Sequence, residues 1–286
     1  MKEVVVLSGK GGTGKTSIVG SFAAIAQSKV LADCDVDAAD LYLLLSPQVR
    51  EEHEFWSGQT ASIDSEKCTE CGLCQEVCRF EAISDYVVDP ISCEGCGFCF
   101  QVCPVSAVTM PESLSGRWFI SATKYGPLVH ARLGVAQENS GKLVALVKQN
   151  ARNIARREGL GCIIVDGPPG IGCPAISSLS GAKLALLVTE PTLSGMHDLD
   201  RVIELCRHFG VPPLVCINKW DVNEENSRRI EAYCGERKVE LVSRIPFDNV
   251  VTEALVGGLP VVEFSTGGVS REIENLWKRV AEALGI

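Results

Sequence analysis

The most constraining feature of the sequence is a glycine-rich segment between a predicted buried strand and a predicted helix. It runs from Ser8 to Thr16, reads SGKGGTGKT, and matches G-x-x-x-x-G-K-[ST] from Gly9 onward. Glycines let backbone N–H groups close around phosphate oxygens, and a following helix N-terminus adds partial positive charge. The segment therefore predicts a nucleotide-phosphate-binding loop, against the alternative of a glycine-rich turn with incidental Lys and Thr.

Residues of this loop have separate predicted roles. Lys15 is expected to contact the β- and γ-phosphates of a nucleotide, and the Thr16 hydroxyl to coordinate Mg²⁺. The residues predicted to surround the nucleotide are Gly11, Gly12, Thr13, Gly14, Lys15, Thr16 and Ser17.

Short apolar runs alternate with longer helical patterns along most of the chain. Continuous Val, Ile and Leu runs suit strands buried on both faces, and repeated strand–helix units imply parallel pairing with right-handed crossovers. The predicted fold class is therefore α/β, a mostly parallel sheet flanked by helices. The predicted strands are 3–7, 30–33, 117–124, 128–133, 162–166, 184–188, 214–218 and 240–244; the predicted helices are 15–27, 141–157, 195–209, 224–233 and 269–284.

Eight of the 14 cysteines form two repeats in the middle of the chain. The repeats are, in order, Cys68, Cys71, Cys74 and Cys78, then Cys93, Cys96, Cys99 and Cys103. This is the spacing of bacterial ferredoxins with two [4Fe–4S] clusters, in which the last cysteine of each run binds the other run's cluster. One predicted cluster thus has the ligands Cys68, Cys71, Cys74 and Cys103, and the other has Cys93, Cys96, Cys99 and Cys78. Zinc is the rival metal, although its sites usually take two separated cysteine pairs.

The cysteine repeats lie in a stretch of distinct composition. Between about residues 61 and 112 helical periodicity is lost, and nine acidic residues accompany two basic ones. Most of the chain's formal charge of −9 therefore lies there. The sequence predicts a larger nucleotide-binding domain, 1–60 and 113–286, and an inserted α+β ferredoxin-like domain at 61–112.

The segment from Lys10 to Thr16, KGGTGKT, resembles the deviant phosphate loop of the MinD/ParA/Mrp superfamily of P-loop ATPases, to which the nitrogenase iron protein is related. With its cysteine repeats, nearly the whole chain resembles superfamily members that contain an inserted two-cluster ferredoxin domain. The resemblance implies ATP and ADP as ligands and slow, Mg²⁺-dependent hydrolysis in a homodimer. It also implies that Lys10 reaches the partner's nucleotide, in a role like an arginine finger; the alternative is a solvated loop lysine.

The same resemblance assigns roles to acidic residues that follow predicted strands. Asp35 matches the residue that positions the attacking water, and Asp33 is expected to hold Mg²⁺ through water. Asp166 fits the carboxylate near Mg²⁺, and residues 167–172 resemble the second switch, whose backbone senses the γ-phosphate.

Asn218 and Lys219 begin an N-K-x-D sequence after another predicted strand, where the nucleotide base should lie. In GTPases this sequence recognises the guanine base, whereas the resemblance to the MinD/ParA/Mrp superfamily favours adenine.

Six cysteines lie outside the repeats. Five are predicted to be structural: Cys34, Cys162, Cys206, Cys216 and Cys234. Cys173 lies beside the second switch, where a cysteine of the nitrogenase iron protein joins a cluster shared across the dimer. A third, intersubunit cluster is therefore an alternative to a structural role.

Two functions fit these features: an ATP-gated electron carrier, or an ATPase that assembles and delivers an iron–sulfur or other metal centre. Each needs a protein partner, a redox protein or a cluster acceptor. A spatial-positioning ATPase is disfavoured by the acidic balance and by the lack of a basic membrane helix. The acidic charge also argues against nucleic acid, and the lack of a signal peptide or membrane span predicts a reducing, cytoplasmic compartment without membrane attachment.

Overall fold

The computed structural model describes residues 1–134 and 139–286. These residues form two compact units. The first unit comprises Met1–Glu52, Trp118–Arg132 and Ser140–Ile286, and the second comprises His53–Arg117 with the described part of Leu133–Asn139. The predicted insertion, 61–112, falls inside the second unit.

The described residues contain the following strands: β1 (Lys2–Ser8), β2 (Lys29–Asp33), β3 (Gln48–Gln59), β4 (Ser62–Ile63), β5 (Ile83–Ser84), β6 (Val87–Val88), β7 (Val108–Thr109), β8 (Glu112–Thr123), β9 (Gly126–Leu133), β10 (Cys162–Pro169), β11 (Leu184–Thr189), β12 (Pro213–Asn218) and β13 (Glu240–Ile245). The helices are α1 (Lys15–Ile25), α2 (Leu41–Leu45), α3 (Leu73–Glu76), α4 (Phe98–Val102), α5 (Ser140–Arg157), α6 (Cys173–Leu179), α7 (Leu193–His208), α8 (Glu224–Glu236), α9 (Val250–Val256), α10 (Val261–Phe264) and α11 (Gly268–Leu284). A 3-10 turn spans Trp220–Val222.

Nine strands of the described chain form one sheet in the order β13-β12-β11-β1-β10-β2-β9-β8-β3. From β13 to β9 every neighbouring pair is parallel. All of β11 and nearly all of β1 are buried, as strands covered on both faces require. The predicted α/β class with a mostly parallel, helix-flanked sheet is confirmed.

One long strand, β3, is absent from the sequence-based prediction. Most of its residues are exposed, and only Phe55 and Ser57 are buried. An exposed edge strand needs no apolar alternation, so the hydrophobic pattern that found the central strands does not mark it.

The core of the first unit packs helices against the sheet through apolar side chains. Phe22 of α1 and Trp277 of α11 meet with ring centroids 5.0 Å apart. The predicted apolar face of α11 is buried, and so are the five cysteines predicted to be structural. In the part of the chain that the structure describes, no helix combines the length and apolarity needed to cross a bilayer.

A buried ion pair ties α5 to the first strand. Lys148 and Glu3 have side chains only 2% and 4% exposed, and the Lys148 Nζ lies 2.9 Å from Glu3 Oε1. Lys148 also donates to the carbonyl oxygens of Ser178 and Ser180, at the end of α6. Arg152 donates to both oxygens of the Glu3 carboxylate. Burial lowers the pKa of Lys148, and the Glu3 carboxylate opposes that shift.

Replacement of Lys148 by Met should lower the free energy of unfolding by about 3 kcal/mol, because it removes one partner of a buried charge pair. The loss is measured by urea unfolding. Arg228→Met is the matched control, since it removes an exposed pair with Glu224 and should cost less than about 1 kcal/mol. Equal losses in the two variants would contradict a stabilising role for the buried pair.

The second unit contains two short antiparallel pairs, β4 with β7 and β5 with β6. The helices α3 and α4 have four and five residues. Their buried sulfurs, Cys74 and Cys99, share a small core with Ala61, Ile83 and Val108. Each cysteine repeat thus contributes one helical turn to a common interior.

Candidate nucleotide and cysteine sites

The parallel register of the sheet brings two predicted carboxylates side by side. Asp166 of β10 pairs in register with Asp33, the last residue of β2. On its other side Asp166 is level with Val6 of β1, the strand that leads into the glycine-rich loop. The loop and both carboxylates therefore lie at the carboxyl edge of the sheet, where open α/β folds bind ligands.

The loop backbone requires glycine at two positions with left-handed φ. Gly12 and Gly14 have φ angles of 77° and 89°. A Cβ on Gly14 would also lie 2.4 Å from the Asn218 side-chain nitrogen, which donates to the Thr13 carbonyl oxygen at 2.8 Å. Asn218 thereby holds the loop that opens α1 at Lys15.

Asp166 is a buried carboxylate that lacks donors. Neither of its oxygens has a hydrogen-bond partner of ordinary geometry among the described residues. Burial raises its pKa to about 7, while the charge of Lys15 and the nearby Thr16 hydroxyl act in the opposite direction. An unsatisfied carboxylate beside a hydroxyl supplies the oxygen donors that Mg²⁺ prefers, so these residues fit the predicted ion.

Asp33 is fully buried, but its oxygens are already used. They accept hydrogen bonds from the backbone N–H groups of Asp35 and Leu41, at 3.1 and 3.2 Å. Burial and the neighbouring Asp166 charge raise the pKa of Asp33 well above its ordinary value. A carboxylate engaged in this way suits an indirect contact with a metal ion, through water.

Asp35 is partly buried beside the same group of charges. Burial raises the pKa of its carboxyl, and the Lys15 ammonium lowers it. Lys15 itself is 5% exposed, so its charge acts on Asp35 and Asp166 from within the site.

Lys10 and Lys219 share a carboxylate that the sequence prediction missed. Glu190 lies 3.4 Å from Lys10 and 2.6 Å from Lys219. Lys10 also donates to the Thr192 hydroxyl at 3.3 Å, and Lys219 to the Gly12 carbonyl oxygen at 3.4 Å. Glu190 directly follows the buried strand β11, the same signal that marked Asp166, so it could have been found.

The last residue of the N-K-x-D sequence has a structural partner. Asp221 Oδ1 accepts a hydrogen bond from the Phe247 backbone N–H at 2.7 Å. That contact holds the turn after β13, so this oxygen of Asp221 is engaged by the chain itself.

The predicted second switch packs directly against the strand that precedes the loop. A Cβ on Gly167 would lie 2.6 Å from Leu7 Cδ2 and 2.7 Å from the Val6 carbonyl oxygen. The Gly170 N–H donates to the Ser8 carbonyl oxygen at 2.8 Å. Residues 167–172 are therefore in direct contact with Ser8, the first residue of the loop.

In the second unit the eight repeat cysteines line two cavities. One cavity is lined by Cys68, Cys71, Cys74 and Cys103. Another is lined by Cys93, Cys96, Cys99 and Cys78. The fourth cysteine of each run thus lies with the first three of the other run.

The two repeats also share their backbone conformation. Left-handed residues recur at matching positions in both repeats, as the pairs Glu70 and Gly95, Gly72 and Gly97, and Glu81 and Ser106. The sulfurs of Cys78 and Cys103 each accept an N–H hydrogen bond from the residue four positions later, at 3.4 and 3.2 Å. Cβ atoms added at Gly72 or Gly97, which line the two cavities, would meet no atom within 4 Å.

Among the described residues, no three His, Cys, Asp or Glu side chains converge closely enough to hold one metal ion. The repeat sulfurs line cavity walls instead of meeting at a point. Cys173 is exposed at the start of α6, where Gly141 of α5 packs against it.

Comparisons with known proteins cover nearly the whole chain. The sequence model of the family described as "CobQ/CobB/MinD/ParA nucleotide binding domain" matches residues 4–261. An uncharacterised protein of Methanocaldococcus jannaschii is 33% identical over 283 residues, which cover 98% of this chain and 96% of that protein.

Two solved structures are similar in fold. The septum site-determining protein MinD complexed with Mg-ADP, from Pyrococcus horikoshii, has a TM-score of 0.60 at 18% identity, over 99% of this chain and 97% of its own. A chain of the MinC:MinD cell division protein complex from Aquifex aeolicus has a TM-score of 0.59 at 19% identity, over 99% and 96%. At these identities the likeness shows the fold.

Asp166→Asn should stabilise the nucleotide-free protein more at pH 8 than at pH 4. The folded-state pKa of about 7 lies above the ordinary 3.8, so the unfolded chain releases this proton first and wild-type stability falls as pH rises between those values. Asparagine does not titrate, so the difference in unfolding free energy between variant and wild type should grow with pH. Urea unfolding in EDTA at three pH values measures it; a constant difference would contradict the assigned pKa.

Proposed function

This chain belongs to the CobQ/CobB/MinD/ParA nucleotide-binding family, and we propose that it is a Mg²⁺-dependent ATPase with two [4Fe–4S] clusters, whose nucleotide state controls electron transfer to a partner protein. One observation carries the proposal. The chain combines a phosphate-binding loop with eight cysteines that line two cavities, four in each.

The nucleotide half of the proposal rests on the loop and its carboxylates. Lys15 would contact the β- and γ-phosphates, and Thr16 and Asp166 would hold Mg²⁺, with Asp33 acting through water. Asp35, partly buried near the Lys15 charge, orients the attacking water. The ion, when bound, neutralises charge on the phosphates during transfer.

ATP is the proposed nucleotide, with ADP as the product. Asn218 holds the loop through Thr13 and lies at the end of β12, where the base is expected. Asp221, which would have to bind guanine in an N-K-x-D site, instead accepts the Phe247 N–H. That contact favours adenine.

The iron half rests on the spacing and grouping of the eight repeat cysteines. Zinc sites usually take two separated cysteine pairs, whereas these cysteines form two runs of four. The crossed grouping is that of two-cluster ferredoxins. The clusters, when bound, supply one-electron chemistry, and the N–H groups of Ala82 and Ala107 donate to ligand sulfurs, which tunes potential.

Coupling between the two halves is supported by how the chain connects them. The Asp33 carboxylate holds the N–H of Leu41, the first residue of α2. β3 begins three residues after α2 ends and reaches Gln59, whose carbonyl oxygen would lie 2.2 Å from a Cβ on Gly95, in the second cysteine repeat. A change at the carboxylates therefore has a route toward the repeat through one hydrogen bond, residues 41–59 and one packing contact.

The return connection passes the second switch. α5 begins at Ser140, immediately after the second unit. Gly141 packs against Cys173, the first residue of the helix that follows the switch, and Lys148 donates to carbonyl oxygens at that helix's end. Both connections to the cysteine unit thus touch a nucleotide-sensing segment.

We also propose that the chain acts in the cytoplasm as a homodimer, in which Lys10 serves the nucleotide of the other subunit. Its redox partner is a protein and not a nucleic acid or a membrane surface, because the chain carries a net charge of −9 and phosphates repel an acidic surface.

Lys15→Ala should reduce ATP hydrolysis at least about a hundredfold, because it removes positive charge from the transferring phosphoryl group. With dithionite-reduced, anaerobic protein, electron donation to a soluble one-electron acceptor should differ between MgATP and MgADP. That difference should vanish in Lys15→Ala and persist in Lys278→Ala, an exposed lysine of α11.

Equal donation rates with the two nucleotides in the wild type would contradict the coupling. Appearance of iron in an apo-protein acceptor, with loss from this chain, would instead identify an assembly ATPase. Hydrolysis unaffected by Lys15→Ala would refute the nucleotide site.

The anaerobic protein should bind about eight iron atoms per chain, with zinc absent by metal analysis. Cys68→Ser and Cys103→Ser should perturb the same cluster, and Cys78→Ser the other, because Cys68 and Cys103 share one cavity and Cys78 lines the second. EPR of the reduced variants distinguishes the two signals. Cys173→Ser, exposed and outside both cavities, should keep both; perturbation of the same cluster by Cys68→Ser and Cys78→Ser would overturn the crossed assignment.

A further inference from the structure

We propose that Glu190 is a positioning residue that holds Lys10 within its own chain and sets how readily that lysine reaches the partner subunit. The inference rests on the proposed function, because it requires a nucleotide-dependent dimer in which Lys10 acts across the interface. Glu190 is outside the phosphate-binding loop, at the end of β11.

The Glu190 carboxylate makes two ion pairs from a largely buried position. Its side chain is 15% exposed, against 31% for Lys10 and 36% for Lys219. Lys10 Nζ is 3.4 Å from one oxygen, and Lys219 Nζ is 2.6 Å from the other. The Thr192 hydroxyl accepts a further hydrogen bond from Lys10 at 3.3 Å. Lys10 is therefore directed toward its own chain by a charge and a hydroxyl together.

The backbone at Lys10 is fixed from both sides. A Cβ on Gly9 would lie 2.2 Å from Asp198 Cβ, so the loop presses on α7. The Ser8 hydroxyl donates to the Lys10 carbonyl oxygen at 2.5 Å. Release of Lys10 from Glu190 is therefore a rotation of its side chain, with the loop backbone in place.

Lys219 keeps the cost of that rotation small. When Lys10 leaves, the Glu190 carboxylate retains its shorter pair with Lys219 and does not become an unpaired charge in a largely buried position. Without Lys219, Lys10 would be the cation that Glu190 keeps among the described residues, and its departure would be opposed more strongly. The two lysines therefore have opposite effects on the same equilibrium.

The test measures the protein concentration at which half the chains are dimeric in saturating MgATP, by sedimentation velocity. Glu190→Gln keeps the side-chain shape and removes the charge, so this midpoint should fall by roughly threefold to tenfold. Lys219→Met should raise it by a similar factor. Glu231→Gln, which removes an exposed pair with Arg244, is the matched control and should leave it unchanged.

The double variant separates this role from direct contact of Lys219 with nucleotide. In the Glu190→Gln background, Lys219→Met should no longer move the midpoint, because it acts through the missing carboxylate. If Glu190 had only a structural role, Glu190→Gln and Lys219→Met would shift the dimerisation midpoint in the same direction. That result would overturn the inference.

Failure of the proposed function looks different. A wild-type chain that neither hydrolyses ATP nor dimerises with it defeats that function and the inference with it. A wild-type chain that does both, with a midpoint that Glu190→Gln leaves in place, defeats the inference alone.

Discussion

The in-register parallel pairing of β1, β10 and β2 is the constraint on which the rest of the structure depends. It sets Asp166 opposite Asp33 on one side and beside the strand of the glycine-rich loop on the other. A one-residue slip of β10 would turn Asp166 to the opposite face of the sheet. The close fit of Gly167 against Val6 and Leu7 opposes such a slip, since it admits no side chain there.

That register places two acidic side chains close together in the interior, where their charges repel each other. Asp166 and Asp33 both have raised pKa values, with burial as the leading cause. Burial of these carboxylates is therefore electrostatically unfavourable in the absence of a cation. Glu190 shows the reverse arrangement, one carboxylate shared by two lysines. A site that contains both carboxylates and lysines suits the joint binding of a cation and an anion.

Much of this could be derived from the sequence because the decisive residues are adjacent in it. The loop is one continuous motif, Asp33 and Asp166 end apolar runs, and the crossed cysteine grouping follows from spacing. Contacts between distant segments could not be derived. The residues next to Lys10 in the sequence do not indicate that Glu190 and Thr192 hold it. The residues next to Lys148 do not indicate its hydrogen bonds to the carbonyl oxygens at the end of α6. The edge strand β3 was not predicted, because an exposed strand lacks the alternation of apolar residues by which strands are recognised.

The two cysteine repeats are alike in backbone and unlike in tolerance. Glu70 and Gly95 occupy matching left-handed positions, and a Cβ on Gly95 would lie 2.2 Å from the Gln59 carbonyl oxygen. The first repeat carries a glutamate at this position, whereas the second leaves no room for a side chain. Exchanging the two segments would therefore push the chain away at Gln59.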